Sequence, residues 1–217
     1  VLAARPAVRT AGTVLAAAAV VAVVAPGLDL DPARLATPKP IVGELARGGE
    51  RTASRWGTLG RSDLVRRGDG AEVLYLDGGA GSLLPTPASA ALWRGDLGRF
   101  AFEALRPERA FVVGAGAGLE VAHALETGAD RVLAAEVNGA GVALARERLA
   151  RARAEAPGAG DVADPFGAPA VLWVRDEARA ALRASGERFD LIALSQAVTR
   201  TAEAVSYTHL TLPTKRI

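Results

Sequence analysis

Five consecutive residues, Gly114-Ala115-Gly116-Ala117-Gly118, have the types and spacing to do chemistry. Glycines at alternate positions permit positive φ and let a ligand approach the backbone, and a helix starting directly behind them presents unpaired N–H groups. Ahead of them, Ala110-Phe111-Val112-Val113 is the continuous apolar run of a parallel strand buried on both faces. The loop therefore stands at a strand's carboxyl end, where open α/β sheets bind ligands. Glu136 ends the next apolar run, Arg131 to Ala135, roughly 20 residues after the first glycine, where an acid can accept both ribose hydroxyls. The chemistry implied is recognition of a nucleoside.

Dinucleotides and S-adenosyl compounds both fit that outline, and the glycine spacing separates them. The dinucleotide fingerprint has its third glycine five positions after the first, where this chain has Leu119. Gly118 instead closes a tighter G-x-G-x-G pattern, typical of S-adenosylmethionine folds. Asp176-Glu177 agrees, because it follows the apolar run Val171 to Val174, where such folds hold the adenine amino group. Asp176 can also cap the helix that follows, and one carboxylate can fill both roles. The site residues expected are thus Gly114, Gly116, Gly118, Glu136, Asp176 and Glu177. No metal is expected, and the absence of cysteine excludes a thiolate ligand, a disulfide framework and a cysteine nucleophile.

Positioning these residues requires strands and helices in alternation, and the pattern supplies them. Strands are expected over 110–113, 131–135, 171–174 and 189–194, with helices over 119–127, 140–154 and 177–184. This is a doubly wound α/β fold, an S-adenosylmethionine-type Rossmann domain over 87–204. It is read as truncated after its fourth strand, with about three further strands expected past Leu194. The glycine- and proline-rich stretch 157–169 is expected to cover one edge of the site. Upstream, 61–66 and 72–76 read as strands around Gly68-Asp69-Gly70, a hairpin signal, giving a small β subdomain over 54–86.

The flanks carry different signals. Residues 29–53 hold Pro32, Pro38, Pro40, Gly43, Gly48 and Gly49 with no sustained period, and read as a linker. Ala11 to Ala25 is an uncharged alanine and valine run, from which a transmembrane helix within 1–28 is expected; a signal sequence and a buried alanine-rich helix are the alternatives. The chain opens on Val1 and contains no methionine, so an N-terminal truncation is expected. From Val205 onward the composition changes abruptly, and Val205 to Thr214 reads as a translated transposase sequencing adapter, so 205–217 are expected to be an artefactual tail. The formal net charge of +2 becomes neutral without Lys215 and Arg216, and the remaining arginines are interspersed with acids. Nothing here points to a nucleic-acid partner.

Four segments together resemble the spermidine synthase-like proteins, particularly the bacterial branch with membrane helices ahead of the synthase domain. They are Ser54 to Val65 with Leu76-Asp77-Gly78, then Val113 to Glu120, then Ala135-Glu136-Val137-Asn138, and Asp176-Glu177-Ala178-Arg179 with Phe189 to Ser195. The likeness runs over roughly residues 50–204. It implies that Gly114, Gly116 and Gly118 hold the amino-acid or aminopropyl end of S-adenosylmethionine or its decarboxylated form, Glu136 the ribose, and Asp176 with Glu177 the adenine. The family's aminopropyltransferases carry an aspartate in the glycine loop, where this chain has Ala117, and a catalytic aspartate after the fourth strand, where it has Ser195. A carboxylate can take a proton from the amine nucleophile and hold cations near the sulfonium, which neither replacement does unaided. The tyrosine-rich polyamine-binding segment is also missing, Tyr75 being the sole tyrosine outside the tail.

The leading expectation is a membrane-associated transferase, its α/β domain in the cytoplasm, that binds S-adenosylmethionine or the decarboxylated form. Its acceptor is undefined, with a polyamine the class the resemblance implies, and a homodimer is a further expectation. A methyltransferase on the same fold is one alternative, relying on proximity of a bound acceptor. A non-catalytic nucleoside-binding sensor domain on a membrane protein is another. Ser195, at a strand's carboxyl end, is the remaining residue with a chemical role to consider, whereas His123, Trp93 and Trp173 read as packing.

Overall fold

The computed structural model describes residues 39–156 and 162–194. The membrane helix expected at 11–25, residues 157–161 of the covering loop, Ser195 and the tail from 205 lie outside the described residues. Among the described residues, no helix is long and apolar enough to cross a membrane.

The first layer is an antiparallel sheet led by helix α1 (Pro40–Ala46). Its strands β1 (Glu50–Gly57), β2 (Gly60–Arg66), β3 (Glu72–Leu76) and β4 (Ala80–Leu83) lie side by side in chain order. The expected hairpin joins β2 to β3, pairing Arg66 with Glu72, and Gly70 takes the left-handed φ of +82°. The stretch 29–53 is therefore not a linker throughout: it holds α1 and the start of β1. Ile41 is what the proline and glycine punctuation concealed, since it is buried with Val65, Val73 and Tyr75. The outer strands read Glu-Arg-Thr-Ala-Ser-Arg-Trp-Gly and Ala-Gly-Ser-Leu, without apolar alternation. Sheet edges accept such charged and small residues.

After α2 (Ala90–Arg94) and α3 (Arg99–Leu105) comes the α/β layer. It runs β5 (Arg109–Val113), α4 (Leu119–Glu126), β6 (Arg131–Ala135), α5 (Gly139–Glu155), β7 (Val171–Val174), α6 (Ala178–Ser185) and β8 (Leu191–Ala193). The four strands are parallel in the order β7-β6-β5-β8, so the chain reverses its direction of growth between β5 and β8. Ala110 and Val112 pack with Val121 and Val132 on one face, while Phe111 packs with Leu133 and Ala181 on the other. Burial on both faces accounts for the continuous apolar reading of β5. β8 is shorter than the expected 189–194, because its pairing with β5 covers Leu191 to Ala193.

The antiparallel sheet packs Val65, Val73 and Tyr75 against Ile41 of α1, and turns its other face toward α5. Along α5 the buried residues Gly141, Leu144, Ala145, Leu149 and Ala152 follow helical spacing. Leu144 and Ala145 join Leu64 and Leu74 of the sheet, Leu84 just past β4, and Ala117 of the glycine loop in one apolar cluster. Arg148 reaches Glu72 at 2.7 Å and Arg55 reaches Glu147 at 3.0 Å across the same interface. The glycine loop thus lies where both sheets and α5 meet.

Candidate functional site

All three glycines of the loop are left-handed, with φ of +66° at Gly114, +51° at Gly116 and +91° at Gly118. L side chains rarely adopt that region, so the local geometry itself demands glycine at these alternate positions. Crowding adds to the demand. A Cβ on Gly116 would lie 2.6 Å from the Ser82 hydroxyl oxygen, and one on Gly118 would lie 3.0 Å from the Pro165 ring. The loop stands at the carboxyl end of β5, beside the point where the strand order reverses.

Glu136 meets this loop directly. Its Oε2 accepts the Gly116 N–H at 2.9 Å and its Oε1 accepts the Asn138 N–H at 2.7 Å. A carboxylate has about four lone-pair positions, so two amide bonds leave acceptor capacity for a pair of hydroxyls. Asn138 is itself fixed: its Oδ1 caps α5 by accepting the Gly141 N–H at 3.1 Å, and its Nδ2 donates to the buried Ser62 of β2 at 3.0 Å. A hydrogen-bonded chain therefore runs from the antiparallel sheet through Ser62, Asn138 and Glu136 to the loop. Asn138 and Ser62 carried no assigned role in the sequence reading, because their pairing spans 76 residues.

Asp176 and Glu177 are placed differently. Both are exposed, and their hydrogen bonds stay within the start of α6. The cap of α6 is Glu177 rather than Asp176, since Glu177 Oε2 accepts the Ala180 N–H at 3.2 Å. The Asp176 carboxylate accepts the Glu177 N–H instead, at 2.7 Å. Backbone N–H donation at Arg179 leads the causes that hold the Glu177 carboxyl below its usual range. The described part of the covering loop reaches Gly118 through Pro165 and Phe166. Trp173 anchors it, stacking on Phe166 at 4.8 Å and donating from Nε1 to the Pro165 carbonyl at 2.7 Å.

A cleft of about 760 Å³ opens on the sheet side of the loop, lined among others by Tyr75, Ser82, Leu92, Asp96, Gly114 and Glu120. Glu136, Asp176 and Glu177 do not line it. Ala117, between the second and third glycines of the loop, is fully buried against Leu64, Leu74 and Leu84. Behind the loop, His123 of α4 is buried between Trp93 and Phe102, its Nε2 at 2.9 Å from the Trp93 carbonyl. Burial pushes its pKa down from 6.5, against the opposing pull of that carbonyl. His123 is thus part of the packing that backs the loop.

No family model and no curated protein matches the chain. Among solved structures it is similar to a spermidine synthase from Thermotoga maritima at 19% identity and a TM-score of 0.46, covering 65% of this chain and 46% of that one. It is similar too to a spermidine synthase in complex with the transition state analogue AdoDATO, at 18% identity and a TM-score of 0.46, again over 65% and 46%. The chain spans about half the length of these solved structures.

Proposed function

We propose that the described region binds an S-adenosyl compound and belongs to a transferase of the spermidine synthase-like kind. The observation that carries this reading is the junction of Glu136 with Gly116, an acid at the end of β6 gripping a left-handed glycine loop at the end of β5. In that role Glu136 would accept the ribose hydroxyls with its remaining lone pairs, and the glycines would admit the ligand's chain against bare backbone. Asp176 is the residue assigned to the adenine amino group, while Glu177 serves α6. The test is calorimetry on the full-length protein with S-adenosylmethionine, its decarboxylated form and NAD. Either S-adenosyl compound should bind tighter than NAD, and the reverse order would overturn the reading.

A second reading, nucleoside binding without transfer, is favoured by Ala117. Its side chain faces an apolar cluster, so the loop presents no acid to an aminopropyl ammonium group. Incubation with decarboxylated S-adenosylmethionine and putrescine separates the two. Release of a thioadenosine product supports transfer to an amine, whereas tight binding with no product supports the non-catalytic domain.

A further inference from the structure

Ser82 touches the same loop from the antiparallel sheet. It lies on β4 between Gly81, paired with Tyr75, and Leu83, paired with Val73. Its Oγ accepts the Ala117 N–H at 2.9 Å across 35 residues of sequence. The strand does not need this side chain to pair with β3, because the ladder is a main-chain one. On the other side, Glu136 holds the adjacent Gly116 amide. Two consecutive amides of the loop are thus gripped by side chains from two different sheets. Among the described residues no acceptor takes the Ser82 proton, and the residue lines the cleft together with Gly114, Leu119 and Glu120. A hydroxyl whose oxygen already accepts an N–H is polarised into a better donor.

We propose that Ser82 is a positioning residue of the glycine loop that also offers its O–H to a polar atom at the loop end of the bound molecule. The ligand half rests on the proposed S-adenosyl reading, whereas the loop half stands on the hydrogen bond alone. β4 then does more than close an edge: it couples the antiparallel sheet to the ligand site.

Hydrogen–deuterium exchange across 114–118, with 110–113 as control, and calorimetry with S-adenosylmethionine test this on the full-length protein and its S82A and S82T variants. S82A should speed exchange in the loop but not in β5, and weaken binding about 3- to 10-fold, the usual worth of one hydrogen bond. S82T retains the hydroxyl and should restore both. Unchanged loop exchange in S82A would overturn the loop half. Faster exchange with unchanged affinity would overturn the ligand half. If the unsubstituted protein binds no S-adenosyl compound, the nucleoside reading and the ligand half fall together, and the exchange data still decide the loop half.

Discussion

Glu136 and Glu177 each stand just past the carboxyl end of a parallel strand, and each carboxylate accepts backbone N–H groups. Their partners differ. Glu136 reaches out to Gly116 at the end of the neighbouring strand, while its second oxygen holds Asn138. Glu177 stays on its own helix, taking the Ala180 N–H and pairing with Arg179. The first is partly buried where two sheets and a helix meet; the second is exposed. An acid after a strand bonds to a neighbouring loop when a left-handed turn carries foreign amides within its reach, and otherwise it caps the next helix.

Substitutions ranked by expected effect can break or sharpen that contrast. Ala117→Asp should be the largest, costing about 3–5 kcal/mol in urea unfolding, because it places an unpaired carboxylate in the cluster of Leu64, Leu74 and Leu84. Unfolding at the same urea concentration as the unsubstituted protein would mean that residue 117 faces solvent. Next comes Gly116→Ala, with a loss of about 1–3 kcal/mol from the left-handed backbone and a further loss from crowding Ser82. Gly128→Ala is its control, since Gly128 has a φ of +96° and nothing within 4 Å of an added Cβ. Equal losses at the two sites would show that strain alone governs and that the Ser82 contact is weak.

Glu136→Ala should weaken S-adenosylmethionine binding by about 1–3 kcal/mol in calorimetry, through hydroxyls left unpaired and a loosened Gly116 amide. Glu177→Ala should leave that affinity unchanged and lower the unfolding midpoint slightly. An affinity loss at Glu177 matching that at Glu136 would erase the distinction between the two acids.

Acid should act on the packing behind the loop before it acts on the cap. His123 has a folded pKa below the 6.5 of the free side chain, so the unfolded chain takes up the proton first. Its contribution is therefore present above about pH 6.5 and lost as pH falls below it. The folded pKa of Glu177 lies below 4.5, so its contribution is present above that value and is lost only at lower pH. Urea midpoints measured against pH should show the upper step, and His123→Gln should remove it. Persistence of that step in the variant would assign it to another group.

Much of the α/β layer was legible because its strands are buried on both faces and its helices carry a helical apolar stripe, both of which are local patterns. The Gly68-Asp69-Gly70 hairpin was legible for the same reason, since a turn's chemistry lies within the turn. β1, β4 and α1 were not, because edge strands and a short helix led by Pro40 need no regular apolar alternation. The cap of α6 was misplaced by one residue, as adjacent acids at a helix start differ only in backbone angles.

By itself, the sequence determined where the chain must be left-handed and where acids follow strands, because glycine spacing and apolar periodicity act over a few residues. Tertiary structure alone decided which acid meets the loop, that Ala117 points into a core, and that Ser82 bonds to Ala117 and Ser62 to Asn138. Those contacts join residues 35 and 76 positions apart, and no local pattern records a hydrogen bond that exists only once two sheets have packed around one helix.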